Sequence, residues 1–199
     1  MRKILLLLLL GAVASFATTS KEVFVGMKNS RYAFIGGQYG NYGLSLESSI
    51  FVQKAEQQYG RAVIFYKTPL VLNLNICYAL FAGTRYDGAF YDVGGKLNFK
   101  GSWINERLGL DATAQVSNDS EIGLMFAYEI RGIVGILPEI SLFAGARTIP
   151  EFRMKEQRIF AGFSFESGRI IVNPEISTPM KRELQLTRVS ASFIYKLPL

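Results

Sequence analysis

The sequence predicts an all-β chain that closes as a single antiparallel up-and-down barrel of about twelve strands. Three observations carry this. Apolar and polar residues alternate with a period of two in segment after segment, as side chains do on the two faces of a strand. Clusters of Gly, Asn, Asp, Ser and Pro separate the segments, where turns call for them. No helical period is present beyond the first stretch, and 19 Gly, 15 Phe and 10 Tyr in 199 residues suit tight turns and aromatic-rich faces.

The run Arg107 to Ile130 shows the unit most clearly. Leu108, Leu110, Ala112, Ala114 and Val116 alternate with Arg107, Gly109, Asp111, Thr113 and Gln115. After the turn Ser117-Asn118-Asp119-Ser120, Ile122, Leu124, Phe126, Tyr128 and Ile130 alternate with Glu121, Gly123, Met125, Ala127 and Glu129. The pair reads as an antiparallel hairpin.

The other elements follow in chain order. Glu22 to Lys28 alternates around Val23, Val25 and Met27. Arg31 to Tyr39 is a strand of ambiguous facing whose Gly36-Gly37 marks a bulge or close packing. Tyr42, Leu44, Leu46, Ile50 and Val52 share a face, and Gln53 to Tyr59 is a polar loop. Gly60 to Lys67 is a short strand ended by Thr68-Pro69. Leu72 to Phe81 and Tyr91 to Lys100 are strong strands flanking the loop Gly83 to Gly88, and Gly101 to Glu106 leads into the hairpin. Arg131 to Pro138 reads as a connection, Ile140 to Arg147 as a strand and Thr148 to Glu156 as the longest loop. Arg158 to Glu166 and Arg169 to Ser177 form a second hairpin, the latter weakened or bulged at Pro174. The last strand runs from about Glu183 to Leu197, and its alternation slips near Thr187, which one bulge would repair. If the weak strands at Arg31–Tyr39 and Gly60–Lys67 are misread, the count is ten.

The first residues stand apart. Arg2 and Lys3 precede an apolar run from Ile4, and Ser15-Phe16-Ala17 supplies the small residues of a cleavage site, so residues 1–17 are expected to be a signal peptide and 18–199 the barrel. The apolar run falls short of the ~20 residues of a spanning helix. Cys77, the one cysteine, lies inside a strand, which excludes an internal disulfide and a lipidated cysteine after the cleavage site. The net charge of +6 is well mixed along the chain and forms no basic block, so no nucleic-acid partner is expected.

Alternation alone does not say which way the apolar face points. Several strands approach the ~9–11 residues of a tilted membrane strand. The apolar faces of the four central strands, Leu72–Leu80, Tyr91–Phe99, Leu108–Val116 and Ile122–Ile130, carry no charge. A charge there would cost ~2–4 kcal/mol at a bilayer midplane. Tyr42, Tyr66, Tyr78, Tyr91, Phe99, Tyr128, Tyr195 and Trp103 suit interfacial girdles. The expectation is a transmembrane barrel with its oily face toward lipid. The alternative is an exported soluble barrel that binds a small apolar ligand.

A leader followed by alternating strands to the C-terminus resembles the bacterial small outer-membrane β-barrel proteins, a porin-like or OmpA-like pattern covering the whole mature chain. The last strand, with Val189, Ala191, Phe193, Tyr195, Leu197 and Leu199, is similar to the C-terminal signal read by the barrel-assembly machinery, although it ends in Leu and carries Pro198. The resemblance implies a Gram-negative outer membrane, with lipid and that machinery as partners.

His is absent, which closes the Ser-His and Asp-His routes of hydrolytic barrels and the usual zinc ligand sets. No calcium loop, P-loop or dinucleotide fingerprint is present. No enzyme activity, cofactor or metal is therefore expected. The remaining chemistry is a set of charges on the polar face. Asp92, Lys96, Arg107, Asp111, Glu121, Glu129, Arg147, Arg158, Arg169 and Arg188 are the candidate lumen-lining residues. Cations exceed anions among the polar-face charges, which gives two readings: a self-neutralised structural interior, or a narrow porin-like passage for small solutes with mild anion preference.

Overall fold

The computed structural model describes residues 22–28, 32–49, 59–70, 73–85, 91–104, 107–148, 157–180 and 187–198. The expected leader lies outside them. Twelve strands run in chain order: β1 (Glu22–Lys28), β2 (Tyr32–Tyr39), β3 (Tyr42–Ser49), β4 (Tyr59–Pro69), β5 (Leu74–Arg85), β6 (Tyr91–Trp103), β7 (Leu108–Asp119), β8 (Gly123–Leu137), β9 (Ile140–Arg147), β10 (Arg158–Ser167), β11 (Ile170–Pro179) and β12 (Arg188–Pro198). Each pairs antiparallel with its chain neighbours, and β12 pairs with β1 to close the barrel. Closure leaves no strand edge unpaired.

The registers fix one inward and one outward set on every strand. Leu44, Ile64, Leu80, Gly95, Val116 and Phe126 form one outward row across six strands. Among the described residues, no Asp, Glu, Lys or Arg occupies an outward strand position. Leu80 is 62% exposed and Phe126 69%, while the inward Asp119, Arg147 and Glu175 are buried. The oily face is thus the outer one, and it encircles the barrel. An apolar surface of that extent far exceeds what a monomeric soluble protein presents to water, and it matches a lipid-facing band. Strands β5 to β8, of 12, 13, 12 and 15 residues, are long enough to cross a bilayer obliquely. Tyr42, Tyr66 and Tyr78 stand side by side in one outward row toward one end, and Trp103 closes β6 at that end.

The two ends differ. The facing ends of β2 and β3, β4 and β5, β6 and β7, β8 and β9, and β10 and β11 lie at the end that holds the start of β1 and the end of β12. The facing ends of β1 and β2, β3 and β4, β5 and β6, β7 and β8, β9 and β10, and β11 and β12 lie at the other end, and the sequence gaps between them include all the long ones.

Several boundaries differ from the sequence reading. Residues 131–137 continue β8, because Arg131 and Ile133 point in while Gly132, Val134 and Ile136 point out. The bulge of the sheet falls there, between Gly135 and Leu137. The expected hairpin turn moves to 120–122, since β7 extends to Asp119, whose Oδ1 accepts the N–H groups of Glu121 and Ile122 at 2.7 and 3.0 Å. Pro174 keeps β11 in register, and the ladder to β10 skips only the pairs around it, where the missing N–H would have donated. β12 begins at Arg188, so Leu184 and Leu186, which suggested a slip, lie outside the described residues and β12 itself alternates cleanly.

Candidate functional site

The interior is built on a recurring seat. Six inward aromatic rings lie flat against a glycine directly opposite on the next strand: Phe24 on Gly36, Phe34 on Gly26, Phe65 on Gly43, Phe81 on Gly94, Phe143 on Gly162 and Phe160 on Gly145. A Cβ at these glycines would collide with the ring. The missing side chain lets each ring lie along the wall instead of across the lumen. Gly36, read as bulge or close packing, belongs to the second case. Gly145→Ala should therefore cost about 1–3 kcal/mol, the usual range for overpacking, because the methyl would meet Phe160 and the Ile130 carbonyl. Gly132→Ala on the adjacent strand, whose Cβ would meet only Ala144 O at 3.9 Å, should be near neutral. Urea unfolding in vesicles compares the two.

Cations lie over these seated rings. Arg61 and Lys96 are 5.0 and 5.2 Å from the Phe81 centroid, Lys67 is 5.0 Å from Phe65, Arg131 is 4.5 Å from Phe143, and Arg147 is 4.7 Å from Phe160. The wall is layered in these places as glycine, ring and positive charge, and the ring face favours the cation.

The charges form two groups. On β8 to β11, Glu129 takes Arg131 at 2.9 Å and lies 3.9 Å from Arg147. Arg147 makes a two-pronged pair with Glu175, with Nη1 3.2 Å from Oε2. Arg158 donates to the Ser177 carbonyl at 3.0 Å. On β3 to β7, Arg61 pairs with Glu47, and the Tyr59 hydroxyl donates to Asp92. Asn98 donates to Asp111 at 2.5 Å and to Thr113 at 2.9 Å. These polar contacts join strands no more than two places apart, so they run along the wall and do not bridge the lumen.

Arginines and lysines are used differently. Arg61, Arg85, Arg131 and Arg147 are ion-paired. Lys67 donates to the neutral Gln38 Oε1 at 2.7 Å and meets no carboxylate within ion-pair distance among the described residues, and Lys196 meets Glu166 at 3.5 Å on the exposed rim. Lys28, Lys96 and Lys100 have no ion-pair partner among the described residues. Lys67 and Lys100 border a recess of about 410 Å³ with Gln38, Asn75, Cys77 and Asn98.

Of the ten candidate lumen residues, Asp92, Lys96, Asp111, Glu129, Arg147, Arg158 and Arg188 occupy inward strand positions. Arg107, Glu121 and Arg169 lie in end turns and are exposed, so they belong to the rims. The sequence reading missed Arg131 and Arg85, taken as connection and loop, and Asp119, taken as turn. Continued alternation past Ile130 was the available signal for Arg131. Pairing between strands two places apart, as in Arg147 and Glu175, leaves no local signal.

No protein-family model matches the chain, and no curated protein matches it in sequence. Among solved structures it is similar to a KdgM porin in complex with disordered oligogalacturonate, with a TM-score of 0.66 and 9% identity over 87% of this chain and 98% of that one. A KdgM porin without that ligand gives a TM-score of 0.66 at 10% identity, with the same coverage. A NanC porin gives 0.56 at 10% identity over 89% of this chain and 99% of that one. The likeness spans the whole barrel, and the chain has the fold of the small KdgM and NanC porins.

Proposed function

We propose that the chain crosses an outer membrane as a narrow, porin-like passage for small solutes and that the passage favours anions. The preference rests on one observation: Arg61, Arg85, Arg131 and Arg147 are held by carboxylates, whereas Lys28, Lys67, Lys96 and Lys100 have no carboxylate within ion-pair distance among the described residues. Unpaired cations in a low-dielectric channel raise the local concentration of anions. A twelve-stranded wall is intermediate between the filled eight-stranded barrels and the wide porins. The KdgM porin that holds an oligogalacturonate, a chain of carboxylated sugars, supports the same solute class here. By the usual asymmetry of such barrels the short-connection end faces the periplasm and the long connections face outward. β12, paired with β1 at the seam, is the strand the assembly machinery would read.

Reversal potentials across planar bilayers in a KCl gradient test this reading. The protein should conduct with chloride favoured over potassium. Exchange of Lys67, Lys96 and Lys100 for Gln should move the reversal potential toward the potassium side. Silence above background sinks the passage, and a cation-selective wild type sinks the preference.

A further inference from the structure

Two inward neighbours near mid-barrel are left with unmet polar needs. Lys96 on β6 and Gln115 on β7 are registered partners on the lumen face. Gln115 is 4% exposed, and its Oε1 is buried without a hydrogen-bond partner among the described residues. Lys96 rests over Phe81 and has no carboxylate within ion-pair distance among the described residues. Charges that act on it include Arg61, Lys28, Glu47 and Asp92. Both carboxylates are engaged elsewhere, Glu47 by Arg61 and Asp92 by the Tyr59 hydroxyl. Lys96, Lys28 and Arg61 therefore outnumber the two carboxylates around the spot.

A buried amide oxygen without a partner is uncommon and points to a missing donor. Directly opposed side chains on neighbouring strands have Cβ atoms ~4.5–5.5 Å apart. A ligand that satisfies both must offer an anionic acceptor to the ammonium and a hydroxyl to the amide within one small unit. A hydroxyl both donates and accepts, so it suits the amide in either orientation. A carboxylate with a hydroxyl on the adjacent carbon is a small unit that offers both. We propose that Lys96 and Gln115 form a binding station inside the lumen for small 2-hydroxycarboxylates, with Lys28 and Arg61 adding positive field. The station rests on the passage reading for its access. It deepens that reading by separating what passes as an anion from what is held.

The test compares lactate with propionate, which lacks only the hydroxyl. Dwell-time analysis of single-channel block in planar bilayers reads the holding step. Saturation-transfer NMR on the refolded barrel in detergent reads binding without any need for conductance. On the wild-type protein, lactate should bind about tenfold tighter than propionate, the scale of one well-made hydrogen bond. Gln115→Leu should erase that difference while both acids still bind, and Lys96→Gln should weaken both acids. Equal behaviour of lactate and propionate on the wild-type chain overturns the station, and that comparison stands even if a variant does not fold. Chloride conductance with no hydroxyl dependence removes the station and leaves the passage. Hydroxyl-dependent NMR binding without conductance keeps the station and removes the passage.

Discussion

Glu175→Leu should lower the stability of the barrel by about 3–5 kcal/mol, the cost of leaving a buried charge without its partner. The side chains of Arg147 and Glu175 are 8% and 4% exposed. Arg158 stands directly across from Arg147 on the next strand, and Arg131 lies two places away on β8. Without Glu175, Arg147 still has Glu129, which is 3.9 Å away and already holds Arg131. That residual contact puts the expected loss toward the lower end. The double change Arg147→Met with Glu175→Leu should recover most of it, because apolar replacement of both partners removes the desolvation cost together with the attraction. Urea unfolding in phospholipid vesicles measures this, with the single tryptophan, Trp103, as the fluorescent reporter. A single variant within ~1 kcal/mol of wild type would place the pair in the range of hydrated surface bridges and contradict its burial.

Much of this architecture is legible in the sequence because a barrel wall is nearly one-dimensional information. Period two assigns faces, turn residues cut the strands, and a chain of short links forces neighbours to pair. The strand count and most lumen positions follow from parity alone. Where the reading went astray, charge was mistaken for loop: Arg131 and Arg85 looked like solvent-facing residues until closure put their faces inside. The seated rings show another limit. Gly94 and Phe81 are far apart in sequence, and only the register makes one the seat of the other. The same holds for Lys96 beside Gln115. Which cations stay unpaired depends on strands two places apart, a distance that alternation does not encode.

Leu80→Arg tests which medium touches the outer face. Leu80 is near the middle of β5, points outward and is 62% exposed, between Ile64 and Gly95 on the neighbouring strands. In water such a change at an exposed site stays within ±0.5 kcal/mol. At a bilayer midplane an arginine costs about 2–4 kcal/mol. Tyr42, 67% exposed, lies on the same apolar face but at the end of its strand, toward one rim of the barrel. Arginine there should cost only about 0–1 kcal/mol, since the penalty falls with distance from the midplane. The contrast between the two sites carries the argument, because both residues are exposed and apolar and differ in depth. A graded cost, large at Leu80 and small at Tyr42, requires a low-dielectric slab around the barrel. Equal small costs at both sites would mean that water bathes the whole outer face, and the lumen would then lose its role as a route between two compartments.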